Sequence, residues 1–155
     1  MIDINGIAHV QLSVRDFAVS RDFYRWLLHE TFGMTIQYDS PRSFYCIGGR
    51  TGLLITPADA ALSAAGFDQR RVGLHHICFR LRRAEDIDAL HAALVERGGV
   101  VVVRAPESGS WAPGYYSVLF EDPDGIRLEA NFVPGRGNLD VIGDGPPLTA
   151  EDFGR

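Results

Sequence analysis

The chain has 155 residues, of which 46% are apolar and 23% charged, with a formal net charge of −5. That mixture excludes a disordered or collagen-like chain and fits one domain long enough to bury a core. The acidic balance, with no basic run or basic amphipathic stretch, argues against nucleic acid or a membrane surface as partner, and no apolar run approaches the ~20 residues of a membrane span.

The opening residues, MIDINGIAHV, lack the basic start and long apolar stretch of a secretory leader. The two cysteines, Cys46 and Cys78, form no CxxC pair and read as thiols that are buried or set in a pocket. Together these features imply a soluble, cytoplasmic protein.

In chain order, HVQLSV from His9 alternates with period two and reads as a strand. A helix follows, with Asp16 as its N-cap and Val19, Phe23, Trp26 and Leu27 as its apolar stripe. Three short strand-like runs come next, MTIQYD, SFYCIG and TGLLIT, broken by the turn-forming SPR and GGR. The plan then repeats. HICFRL from His76 reads as a strand, Ile87, Leu90 and Leu94 mark a helix, and Gly98-Gly99 stops it. The runs VVVVR, YYSVLFE and IRLEANF complete the second half, separated by APESGSWAPG and DPDG. Both halves read β-α-β-β-β, an α+β arrangement made of a duplicated module. The expected organisation is a single domain over 1–134, with modules at about 6–57 and 74–134. The tail, 135–155, is rich in Gly, Pro and Asp and reads as an extended arm that can pack across a partner subunit.

Strand alternation sorts the side chains by face. His9, Gln11 and Ser13 share one face of the first strand, and His76, Cys78 and Arg80 one face of the fifth. Arg127, Glu129 and Asn131 share a face of the last strand. Each of these faces is polar and its reverse apolar, so His9, His76 and Glu129 are expected to converge in a pocket if the sheets curl together. His75 falls on the opposite face from His76. His29 and His91 lie on the helices and read as solvated.

The segments HVQLSVRDFAVSRDFYRWLL, HHICFRL and FEDPDGIRLE resemble those of the vicinal oxygen chelate superfamily. That group includes glyoxalase I, methylmalonyl-CoA epimerase, fosfomycin-resistance transferases, extradiol dioxygenases and bleomycin-resistance proteins. The likeness spans residues 6 to 134. It implies a glyoxalase-like fold, with two paired βαβββ modules forming an open, barrel-like sheet around a central pocket. Carried over residue by residue, it implies His9, His76 and Glu129 as ligands to a divalent metal, with Thr56 at the fourth ligand position. A neutral hydroxyl is a weak ligand, so the implied set is two imidazoles and one carboxylate. Such a set suits Zn, Ni, Co, Mn or Fe and leaves positions open for substrate.

The activity this implies is a metal-dependent, glyoxalase-like lyase or isomerase acting on a small oxygen-rich substrate. Thr56 cannot serve as the base found at that position in relatives, which leaves proton transfer to Glu129 or another pocket residue. An extradiol dioxygenase fits the ligand set, but Leu119 stands where those enzymes carry a tyrosine, and SGSWAPGYYSV lacks their helper histidine. A fosfomycin-type thiol transferase is supported by Ser117 alone, since Leu119 and Gln11 replace its tyrosine and threonine. A bleomycin-resistance-like binding protein without catalysis would use Trp111, Tyr115 and Phe44 as an aromatic cleft, although the retained ligand types argue against it.

Alternation turns Gln11, Ser13, Cys78, Arg80, Tyr115, Ser117, Arg127 and Asn131 toward the substrate pocket. Arg80 and Arg127 either grip an anionic group or pair with acids on neighbouring strands. The loop around Trp111 is either a lid or a packed surface loop. The resemblance also implies a homodimer.

Overall fold

The computed structural model describes residues 1–4 and 6–135; the tail predicted for 135–155 lies outside the described residues from position 136 onward. The described chain separates into two compact units. The first comprises Met1–Asp68 together with Asp122–Gly125, and the second Gln69–Glu121 with the chain from Ile126. Among the described residues, no helix is long and apolar enough to cross a membrane.

Unit 1 begins with β1 (His9–Val14), which buries Leu12 and Val14 and exposes His9, Gln11 and Ser13, as its alternation predicts. Asp16 caps α1 (Phe17–Tyr24) by accepting from the backbone N–H groups of Ala18 at 3.0 Å and Val19 at 3.2 Å. The helix widens into a π-helical segment, Arg25–Thr31. Its buried stripe is Ser20, Phe23, Tyr24, Leu27 and Leu28, of which Phe23 and Leu27 are buried as the spacing predicts. Val19, expected in the core, is 52% exposed and Trp26 is only half-buried. The serine turns inward in the valine's place, and the wider segment then carries two adjacent leucines under the sheet.

Strands β2 (Thr35–Ser40), β3 (Ser43–Gly48) and β4 (Thr51–Pro57) follow, giving the sheet order β1-β4-β3-β2. β1 runs parallel to β4, and the other pairs are antiparallel. Phe44, offered above as a cleft aromatic, is fully buried, as is Cys46. Phe44 is core because its strand parity carries it with Leu53 and Ile55 to the helix side.

Unit 2 repeats the plan with β5 (Ile77–Arg80), α2 (Ala84–Arg97), β6 (Val102–Ser108), β7 (Tyr116–Glu121) and β8 (Arg127–Phe132), in sheet order β5-β8-β7-β6. Both sheets are open, mixed and four-stranded, so the fold is the α+β, glyoxalase-like arrangement. Ile87, Leu90 and Leu94 are buried as the spacing predicts, and Gly98 ends the helix at φ 69°. Two boundaries differ from expectation. β5 starts at Ile77, so His75 and His76 sit just ahead of it, and β6 runs on through residues read as loop.

The DPDG turn joins β7 to β8, yet its contacts place it in unit 1. Asp122 Oδ1 accepts from the Asp124 N–H at 2.9 Å, which shapes the turn, and Gly125 supplies the left-handed residue at φ 82°. Asp122 Oδ2 accepts from the buried Tyr24 hydroxyl at 2.8 Å, and Asp124 Oδ2 accepts from the Arg15 N–H at 2.8 Å. Burial and the Asp122 charge push the Tyr24 phenol well above its ordinary range. Tyr24→Phe removes this buried hydrogen bond to a carboxylate and is expected to destabilise the protein by about 1–3 kcal/mol in denaturant unfolding. An unchanged midpoint would mean that the turn is not anchored through this bond.

Candidate functional site

The polar face of unit 2 differs from an ordinary solvated sheet face because its centre is buried. Glu129 and Asn131 on β8 and Ser117 on β7 are all withdrawn from solvent, beside buried Tyr115. Register explains the grouping, since Cys78 pairs with Glu129, and Ser117 with Asn131.

Glu129 is the hub. Its Oε2 lies 3.3 Å from His76 Nε2, while its Oε1 accepts from the Tyr115 hydroxyl at 2.7 Å and lies 3.5 Å from Arg104 Nη2. Arg104 Nη2 also donates to Ser117 Oγ at 3.0 Å. Burial alone would raise the Glu129 carboxyl, but hydrogen bonds from His76, Tyr115 and Ser117 outweigh it and hold the group at about 2. Tyr115 moves the opposite way, raised first by burial and then by its carboxylate acceptor. His76 Nδ1 contacts His75 Nδ1 at 2.8 Å, which orients the ring and leaves Nε2 toward Glu129. His75 therefore has a place beside the site despite its opposite parity, because neither histidine is held in the strand.

Cys78 is exposed as a residue, yet loss of hydration around its sulfur and the Glu129 charge push the thiol up to about 12. Arg80 is exposed at the register position of Asn131. Arg127 pairs with Glu121 on the neighbouring strand, Nε to Oε1 at 2.9 Å, which is the acid pairing the sequence allowed. Trp111 packs with Ala112, Tyr115 and Val133, so the loop it occupies is a packed one.

Unit 1 carries the remaining predicted residues on the exposed face of β1. His9 meets the Tyr45 ring edge-on, with centroids 6.3 Å apart. Tyr45 also covers Gly52, where a Cβ would collide with its ring. Gln11 Nε2 donates to Thr56 Oγ1 at 3.1 Å, and Ser13 pairs with Thr56 in register. The registers correct one assignment. Cys78 faces Glu129 in unit 2, and the matching Gln11 faces Leu54 in unit 1. The counterpart of Glu129 is thus Leu54, and Thr56 lies two residues further along. An alkyl side chain cannot bind a metal, so unit 1 offers no ligand at that point.

Alternation missed Arg104. Register shifts between Val102 and Arg104, and between Arg104 and Glu107, break the parity of β6 and bring this arginine to the Glu129 face.

His76 and Glu129 supply an imidazole nitrogen and a carboxylate oxygen close together, the donor types borderline divalent metals take. The buried Asn131 Oδ1 on the same face has no hydrogen-bond partner among the described residues. Among the described residues, no three His, Cys, Asp or Glu side chains group closely enough to hold a metal. His76 and Glu129 are thus two donors of the kind a metal takes, with no third His, Cys, Asp or Glu grouped with them among the described residues.

A sequence profile of the glyoxalase/bleomycin resistance protein/dioxygenase superfamily matches residues 6–130. The uncharacterized protein YqjT of Bacillus subtilis is 29% identical over 128 residues, covering 78% of this chain and 94% of that one. A crystal structure from Bacillus halodurans, assigned provisionally as a glyoxalase, superposes with a TM-score of 0.74 at 26% identity, covering 83% of this chain and 96% of that one. The lactoylglutathione lyase of Agrobacterium tumefaciens shares the fold, with a TM-score of 0.59 at 20% identity over 83% of this chain and 94% of its own.

Cys78 tests the local geometry. At pH 8 its alkylation by iodoacetamide is expected to be at least ~10-fold slower than that of an unfolded thiol, to accelerate as pH rises toward 12, and to quicken in Glu129→Gln. Labelling at the rate of an ordinary thiol would place the sulfur away from the carboxylate.

Proposed function

The chain belongs to the glyoxalase/bleomycin resistance protein/dioxygenase superfamily, and from that premise we propose that it is a metal-dependent lyase or isomerase of the glyoxalase type. The substrate in this reading is a small molecule with two adjacent oxygens. The observation that carries it is the pair of donor atoms, His76 Nε2 and Glu129 Oε2, 3.3 Å apart on a face whose other carboxylate oxygen is already occupied.

When bound, a divalent metal supplies Lewis-acid polarisation of substrate oxygens. The chain's own groups do the rest. His75 orients the imidazole of His76, and Tyr115 and Arg104 keep Glu129 ionised and aimed. Burial of Glu129, Ser117 and Asn131 excludes water from the floor of the site, where charge acts more strongly. In this reading Thr56 does not move the proton of a lyase or isomerase, because it is engaged by Gln11 and its hydroxyl is no base.

A second reading, binding without catalysis, draws on one observation. The Glu129 carboxylate already has protein partners on both oxygens, so the network is complete without an ion. Dioxygenation is less favoured, since Leu119, opposite Glu129 in register, replaces the tyrosine expected of ring-cleaving relatives.

Elemental analysis of the untagged protein separates these readings. The parent is expected to hold about one equivalent of Zn, Ni, Co, Mn or Fe, and His76→Ala with Glu129→Ala to lose it. Ni, Co or Zn directs the search to isomerase and lyase substrates, and Fe to catechols with oxygen uptake. A parent that takes up no metal after loading would leave the binding protein as the account to pursue.

A further inference from the structure

The DPDG turn is closed by its own residues and then tied to both ends of α1. Within it, the Gly125 N–H donates to the Asp122 carbonyl at 3.0 Å and Asp122 Oδ1 accepts from the Asp124 N–H at 2.9 Å. Asp, Pro and Gly occupy the first, second and fourth positions that such turns favour. Both aspartates also reach outside the turn. Asp124 Oδ2 accepts from the N–H of Arg15, one residue ahead of the α1 cap, and Asp122 Oδ2 accepts from the hydroxyl of Tyr24, the last residue of α1. Helical side chains lean toward the N-terminus, so the Tyr24 hydroxyl reaches back along α1 to meet the turn. Tyr24 and Asp122 are both buried, which withdraws this bond from competition with water.

The tie bears on Glu129 through register. The β7-β8 ladder pairs Glu121 with Arg127 on either side of the turn, then Leu119 with Glu129 and Ser117 with Asn131. Turn geometry sets the register of a hairpin, and a slip of one residue on β8 would put Leu128 or Ala130 where Glu129 stands. We infer that Tyr24 is a positioning residue for the Glu129 site: through Asp122 its hydroxyl fixes the turn, and with it the register in which β8 presents Glu129 to His76 and Tyr115. The inference concerns the hydrogen-bonded network of Glu129 and needs no metal, so it stands or falls apart from the function proposed above.

The test reads the hairpin and the site separately from global stability. Tyr24→Phe keeps the buried ring and removes the hydroxyl. Ile55→Val, a truncation in the buried core of β4, serves as the control. Amide hydrogen exchange over residues 126–131 and Cys78 alkylation at pH 8 are measured in both, and each rate is corrected for the variant's own shift in unfolding midpoint. After correction Tyr24→Phe is expected to exchange these amides roughly 10-fold faster than the parent and to alkylate Cys78 at least about 3-fold faster, whereas Ile55→Val changes neither. Asp124→Ala, which removes the acceptor for the Arg15 N–H, should move both readouts the same way by less, and it decides the matter if Tyr24→Phe does not fold. Equal corrected rates in Tyr24→Phe and Ile55→Val would overturn the positioning role and leave Tyr24 a residue of stability alone. Faster exchange with parent alkylation would confine the effect to the turn and overturn it as well.

Discussion

A carboxylate withdrawn from water must be met by donors, and the architecture of unit 2 is organised around meeting that demand at Glu129. An unpaired buried charge costs several kcal/mol, whereas each hydrogen bond to a charged group contributes about 1.5–3 kcal/mol. His76 ahead of β5, Arg104 on β6, and Tyr115 and Ser117 at the start of β7 come together to supply them. Their placement depends on the β5-β8-β7-β6 order, which sets β8 between β5 and β7, and on the bulged β6 that redirects Arg104. The same demand explains why the loop before β7 is packed so firmly, because a mobile Tyr115 would leave Oε1 without its shortest bond.

The duplicated module has diverged along this line. Unit 1 keeps the strand order and the parallel pairing of first and last strands, but its polar face carries His9, Gln11 and Ser13 with Leu54 where the carboxylate would stand. No buried charge has to be satisfied there, and the face is open to solvent. Unit 1 instead spends its buried polar contact on the DPDG turn, through Tyr24 and Asp122. The residues that make this motif recognisable in sequence are thus explained by a turn geometry and an anchor.

Much of this was legible in the sequence because period-two alternation survives wherever strands are regular. It placed Leu12 and Val14 inward, His9 outward, and Glu129 and Asn131 on the face opposite Leu128 and Ala130. It failed where geometry departs from the regular strand or helix. Two bulges hide Arg104, and in α1 Ser20 and Tyr24 are buried while Val19 is exposed, ahead of the π-helical segment that buries Leu28 beside Leu27. The Thr56 assignment erred because motif alignment across a turn carries no register, and only strand pairing shows that Leu54 is the equivalent position. His75 was set aside by a parity rule that does not apply ahead of the strand. Burial of the polar face, which distinguishes a site from a solvated surface, depends on Tyr115 and its loop and has no periodic signature.

We propose that His76 and Glu129 together hold a divalent metal. Anomalous diffraction from crystals of the protein loaded with Zn2+ or Co2+ tests it most directly. The account predicts an anomalous peak about 2.0–2.2 Å from both His76 Nε2 and Glu129 Oε2, with the Tyr115 hydroxyl still on Oε1. A structure with no peak there, and His76 still paired directly to the carboxylate at full metal loading, would contradict it.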